Sequence, residues 1–175
     1  MANILHIKAL KTNLVTKFDR LFNCCNQLNN LQSLEPISEF NTNQVESFLE
    51  MFKGCSSLST LPHIEKWKME KAKNLRGMFK DCNNLRVLPD ISQWNVENVE
   101  SMEEMFSGCR NLRIRTFPNL KTWNLKKLKN IDKMFFGCGF ASKFQENYDR
   151  EPQIEDFLKI NNNEIISCEN IFDSD

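Results

Sequence analysis

The chain has little of what most enzymatic chemistry requires. It holds two histidines, His6 and His63, and neither has a Ser or Cys at motif spacing. That pattern supplies no nucleophilic triad and no His-rich metal site. Five glycines leave no Gly-rich loop to cradle a phosphate. Charge of one sign is missing too: 23 basic and 23 acidic residues cancel, which removes any generic case for nucleic acid or a membrane surface. No apolar run approaches the ~18 residues of a bilayer-spanning helix, so no membrane span is expected. The opening Met1-Ala2-Asn3-Ile4-Leu5-His6-Ile7-Lys8 lacks the basic-then-apolar pattern of a signal peptide. The closing Asp173-Ser174-Asp175 is no lipidation box. None of the 22 asparagines heads an Asn-x-Ser/Thr sequon. These features lead to the expectation of an intracellular protein, in the cytoplasm or in an assembly within the cell, with the extracellular surface as the alternative. No cofactor is expected.

What the chain does have is a period. The word Met-Phe-x-Gly-Cys stands at Met51–Cys55, Met105–Cys109 and Met134–Cys138, with looser copies at Met78–Cys82 and Leu21–Cys25. The final cysteines are separated by 30, 27, 27 and 29 residues. Other positions fall into columns at the same spacing. One unit reads Leu85, Leu88-Pro89, Ile91, Trp94, Val99, Met102, Met105-Phe106, Cys109. The unit before it reads Leu58, Leu61-Pro62, Ile64, Trp67, Ala72, Leu75, Met78-Phe79, Cys82. Self-similarity at this length marks a repeat architecture. The chain divides into a degraded half-repeat over 1–22, full repeats over 23–138, an insertion over 139–153 and a second half-repeat over 154–175, all within one domain of 1–175.

The apolar residues Met102, Met105, Phe106 and Cys109 sit at i, i+3, i+4 and i+7, which is one face of a helix. The sequence therefore predicts a helix over 99–107 in each unit, ended by Gly108 in the left-handed conformation. It predicts a short extended piece over 85–88, stopped by Pro89. Stacking of the units would bury one continuous core. The expected fold class is α/β: a right-handed leucine-rich-repeat solenoid of about five to six coils, with one helix and one short parallel strand per repeat. The structural core of that repeat is read as Phe52, Cys55, Trp67, Phe79, Cys82, Trp94, Phe106, Cys109, Trp123, Phe135 and Cys138.

Leu-x-x-Leu-Pro-x-Ile-x-x-Trp-Asn followed by Asn-Val-x-x-Met-x-x-Met-Phe-x-Gly-Cys resembles the BspA-like leucine-rich repeat, in the variant first catalogued as a mycoplasma lipoprotein repeat. The nearest fit is 85–109, and the likeness covers about 51–138. The resemblance implies a leucine-rich-repeat solenoid and no catalytic residue, because the motif is structural. Family members are mostly surface or secreted proteins, some of them implicated in adhesion.

Several features could carry function, each beside a plainer reading. The cysteine column has no Cys-x-x-Cys spacing, so packed thiols are the expectation and a disulfide ladder or soft-metal site the alternative. Cys24 takes the place of the usual Gly and could be reactive. The column Phe40, Trp67, Trp94, Trp123 reads as core, with a stacking ladder for a sugar or base as the alternative. Residues 53–140 carry 16 basic and 9 acidic side chains, a net +7, against a net −6 over 141–175. Lys66, Lys68, Lys71, Lys73, Arg76 and Lys80 form one basic run; Lys121, Lys126, Lys127, Lys129 and Lys133 form another. These read as a solvated face or as a basic stripe for an acidic partner. In the insertion, Phe140, Phe144 and Tyr148 stand at i, i+4 and i+8, so a helix there would set them on one face, and they read as a cap or a partner anchor.

Taken together, the sequence predicts a non-enzymatic leucine-rich-repeat interaction module. It would be a structural or scaffold subunit binding a protein partner or larger complex through Lys66, Lys68, Lys71, Lys73, Lys80, Phe140, Phe144 or Tyr148. Nucleic acid stays open as a partner. The alternatives are a surface or secreted adhesin-like repeat protein and, further back, a thiol-dependent enzyme.

Overall fold

The structure is a computed structural model that describes residues 10–26, 35–113 and 122–139. The period of the sequence reappears in it as a register of hydrogen bonds. Lys17, Ser47, Asn74, Ser101 and Asn130 join in sequence through isolated parallel bridges. Five copies of the unit thus lie side by side, each touching the next at equivalent positions.

The expected helix is absent. Among the described residues there is no α-helix and no β-strand, only one-residue bridges, turns and short 3-10 helices at Glu35–Glu39, Ile64–Lys66 and Ile91–Gln93. The α/β leucine-rich-repeat solenoid, with one helix and one strand per unit, is therefore not the fold. Where the helix was expected, the chain runs through consecutive β-turns. Met105, Ser107 and Cys109 donate their amides to the carbonyls three residues back, at Met102, Glu104 and Phe106. The alternate amides leave the unit altogether. Met102, Glu104, Phe106 and Gly108 donate to Asn130, Asp132, Met134 and Phe136 of the next unit. An α-helix satisfies these amides within its own segment, at i−4.

Backbone dihedrals explain the change. Glu104 and Gly108 have φ of 55° and 74°, and Glu50 and Gly54 have 52° and 71°. A left-handed residue at every fourth position is the mark of type II turns and interrupts a right-handed helix. The apolar phase was read correctly while the conformation was not. A turn train with a period of four places i, i+3, i+4 and i+7 on one side, as a 3.6-residue period does. Over eight residues the two cannot be told apart.

The expected strand at 85–88 is also missing. Between neighbouring units, Arg86 donates its amide to Ser59 at 3.0 Å, without the run of alternate bonds that makes a ladder. Cross-unit bonding is concentrated instead on the bridge column and the turn train after it. Short polar side chains hold that junction. Asn74 Oδ1 accepts from the Arg76 amide at 2.9 Å, and Asn130 Oδ1 accepts from the Asp132 amide at 2.9 Å. Ser47 Oγ and Ser101 Oγ accept from Leu49 and Glu103 in the same way. Such side chains compete with helix by closing local turns.

The core runs through the stack. Met51, Phe52, Met78, Phe79, Met105, Phe106, Met134 and Phe135 are all fully buried. The phenylalanine rings stack unit upon unit: Phe22 on Phe52 at 5.4 Å, Phe52 on Phe79 at 5.7 Å, Phe79 on Phe106 at 5.5 Å and Phe106 on Phe135 at 5.7 Å. Offset stacking of this kind adds to the burial of aromatic area.

Candidate functional site

The cysteine column is built into the backbone. Cys55, Cys82, Cys109 and Cys138 are buried, unpaired thiols. Each donates to the carbonyl of a phenylalanine one unit earlier: Cys55 to Phe22, Cys82 to Phe52, Cys109 to Phe79 and Cys138 to Phe106, at 3.0–3.1 Å. Burial pushes the Cys55 thiol up to about 12 and raises the other three as well. Thiolate, the nucleophilic form, is suppressed in such surroundings. Cys24 differs. It is exposed and takes a left-handed φ of 56°, in the column where Gly54, Gly108 and Gly137 stand.

The aromatic column is consumed in the same manner. Trp67, Trp94 and Trp123 are buried, and each indole N–H donates to an isoleucine carbonyl of the previous unit, at Ile37, Ile64 and Ile91. With the rings inside and their polar ends bonded, no face is offered to a sugar or base. His63 stands exposed with Nδ1 2.6 Å from Glu65 Oε1. Among the described residues, no cluster of three or more His, Cys, Asp or Glu side chains is placed to hold a metal ion.

The lysine stripe divides. Lys73 Nζ lies 2.7 Å from Glu46, and Lys80 Nζ lies 2.6 Å from Glu104. Lys71 bonds the side-chain oxygen of Gln44. Arg76 reaches Glu103 at 3.1 Å. In the second basic run Lys129 pairs with Glu100 at 2.6 Å, Lys127 bonds Asn98, and Lys133 lies over the Phe136 ring. Lys66 and Lys68 are exposed, with no ion pair to a described residue. Lys71, Lys80, Lys126, Lys127 and Lys133 sit on turns and Lys66 ends the 3-10 helix Ile64–Lys66, so none lies on the flank of an α-helix. Phe140, Phe144 and Tyr148 lie outside the described residues.

Sequence reasoning missed the acidic half of this surface. Glu46, Lys73, Glu100 and Lys129 occupy one column, and their signs alternate from unit to unit. The hydrogen bond to Lys73 holds Glu46 below the usual carboxylate range, and the bond to Lys129 does the same to Glu100. Lys73 is raised in return, by its bond to Glu46. The alternation was readable once the columns were aligned, because a stack sets equivalent positions next to each other. Counting lysines along the chain concealed it.

The family model described as "Mycoplasma protein of unknown function, DUF285" matches residues 2–116 and 61–159. No curated protein and no solved structure matches. The family shown is thus not the BspA-like leucine-rich repeat that the motifs resemble. The scaffold and adhesin readings rested on repeating helix–strand units, and they fall with those units. No helix among the described residues is long and apolar enough to cross a membrane.

Proposed function

The chain belongs to this family of unknown function, and we propose that it works without catalysis, inside the cell, by contact with a protein partner. The fate of the thiols carries the non-catalytic part of the reading. Cys55, Cys82, Cys109 and Cys138 are spent as donors to backbone carbonyls, in surroundings that suppress the thiolate. Glu46, Glu104 and Glu100 are tied to lysines as ion-paired carboxylates, which does not favour a role for those three as general acids or bases. Contact is supported by Lys66 and Lys68, whose exposed ammonium groups are not matched by a described acid.

Titration of thiols with a disulfide reagent tests the first part. In the native protein Cys24 should react promptly and the four buried thiols only after unfolding. A fast native reaction at Cys55, Cys82, Cys109 or Cys138 would return the chain to the thiol chemistries. The second part predicts that proteins retained by the immobilised chain elute with salt. Retention should drop when Lys66→Glu and Lys68→Glu are combined. Equal, salt-resistant retention by both forms refutes the assignment to these two lysines.

A further inference from the structure

Lysines recur on every second unit along one strip of the stack. β-Turns closed by the amides of Val15, Val45, Ala72, Val99 and Leu128 stand in register from unit to unit. Their second corners are Leu14, Gln44, Lys71, Asn98 and Lys127. Two residues further on come Thr16, Glu46, Lys73, Glu100 and Lys129, with Lys17 next to Thr16 and bridged to Ser47. Counting from the unit that holds Lys17, the first, third and fifth units present Lys17, then Lys71 with Lys73, then Lys127 with Lys129. The second and fourth present an amide and a carboxylate, Gln44 with Glu46 and Asn98 with Glu100. Five ammonium groups against two carboxylates leave this strip a surplus of three positive charges.

The ammonium groups are held in place without being exhausted. Lys73 bonds Glu46 at 2.7 Å and Lys129 bonds Glu100 at 2.6 Å. Lys71 and Lys127 donate to uncharged oxygens, on Gln44 and Asn98. Each of the four thus leans on the unit before it and stays exposed. A lysine has three N–H donors, so further donors remain for an incoming anion. Anchored side chains also lose less freedom on binding. Beyond its bond to Lys73, Glu46 feels the charges of Lys71 and Lys17, and beyond its bond to Lys129, Glu100 feels those of Lys73 and Lys127. Both carboxylates are therefore enclosed by lysines of neighbouring units.

The spacing selects a ligand. Neighbouring units lie about 4.8 Å apart, so the lysine units recur at about 10 Å. A peptide in the polyproline II conformation makes one turn in three residues and advances about 9.3 Å, which sets every third side chain on one face at nearly that interval. In a β-strand, side chains three apart point to opposite faces. Width matters as well. Glu70 and Glu97 stand exposed at the first corners of their turns, one residue before Lys71 and Asn98. A bilayer or a nucleic-acid duplex is broad enough to meet these carboxylates together with the lysines, whereas a single extended peptide can follow the lysines alone. Resting on the reading that the chain acts by contact with a protein partner, we propose that this strip binds an extended acidic segment of that partner. The segment lies along the stack, with carboxylates at every third residue opposite Lys17, the Lys71 and Lys73 pair, and the Lys127 and Lys129 pair.

Two synthetic peptides of identical composition test the proposal on the full chain. One repeats Glu-Pro-Ser three times; the other carries its three glutamates in succession. Titration at low ionic strength is followed by the NMR signals of the lysine side chains. The repeating peptide should bind at least about threefold more tightly than its isomer and shift Lys71 and Lys127, and added salt should release it. The double variant Lys71→Gln, Lys127→Gln removes two exposed charge pairs and should weaken binding about fivefold. Lys53→Gln, whose lysine pairs with Glu50 away from the strip, should leave it unchanged. The comparison of the two peptides on the unaltered chain stands even if the double variant misfolds. Equal affinity for both peptides, no binding at low salt, or shifts centred away from the strip would each overturn the proposal. Protein contact as such is judged separately, by whether retention on the immobilised chain still drops with Lys66→Glu and Lys68→Glu.

Discussion

At the scale of single residues, the left-handed positions divide into those that tolerate a side chain and those that do not. Glu50, Glu104 and Lys133 hold φ between 52° and 55° with full side chains, so the conformation alone is affordable here. Gly108 is constrained further: a Cβ there would overlap the Asp81 carboxylate. Gly137 → Ala meets only open contact distance. Gly137→Ala should therefore cost about 1–2 kcal/mol, the usual strain of a non-glycine left-handed residue, and Gly108→Ala distinctly more. Adding Asp81→Ala to Gly108→Ala should recover part of the loss. Denaturant melts of the four forms check this, and equal costs at both glycines would remove the steric argument. Core residues follow the ordinary rule. Phe106→Ala should cost about 3–5 kcal/mol, while the exposed Lys126→Ala should stay within about 0.5 kcal/mol.

At the scale of the repeated element, the thiol column makes stability depend on alkaline pH. Cys55, Cys82, Cys109 and Cys138 are all raised by burial. A group whose folded pKa lies above its unfolded value binds the extra proton in the native state. Its contribution is complete below the ordinary thiol range of about 8.5–9 and is lost as pH climbs toward the folded value, about 12 for Cys55. The denaturation midpoint should hold steady from pH 7 to about 8.5 and then fall steeply. A Cys82→Ala variant starts less stable and should fall less steeply. An identical alkaline slope in both would mean that lysine titration, not the thiols, sets the decline. This element was half legible in the sequence. Met102, Met105, Phe106 and Cys109 gave the inward face, because side-chain hydrophobicity selects which positions are buried whatever the backbone does. The backbone itself was not legible. Whether the Phe106 amide turns back to residue 102 or outward to Met134 depends on the adjacent unit, and only Gly108 hinted at a left-handed residue, a hint equally suited to a helix end. Of the candidate surface, the lysines were legible one by one. Their pairing with Glu46, Glu100 and Glu104 needed the register between units.

At the scale of the whole molecule, contacts pass from each unit to its neighbours, so energies should couple by adjacency. The phenylalanine stack offers a clean measure. Phe79 has a ring on both sides, Phe52 at 5.7 Å and Phe106 at 5.5 Å, and is 0% exposed. Phe22, in the first described unit, is stacked on Phe52 and is 7% exposed. Phe79→Ala should therefore destabilise more than Phe22→Ala, by about 0.5–1.5 kcal/mol for the second ring contact. Coupling should follow the same map. Phe52→Ala and Phe79→Ala remove a shared contact and open adjoining space, so their double variant should depart from the sum of the singles by about 0.5 kcal/mol or more. Phe22 and Phe79 are separated by the Phe52 ring and share no face, so their effects should add within about 0.3–0.5 kcal/mol. Double-mutant cycles from urea unfolding provide both numbers. If the separated pair coupled as strongly as the adjacent pair, the units would not be acting as a nearest-neighbour stack.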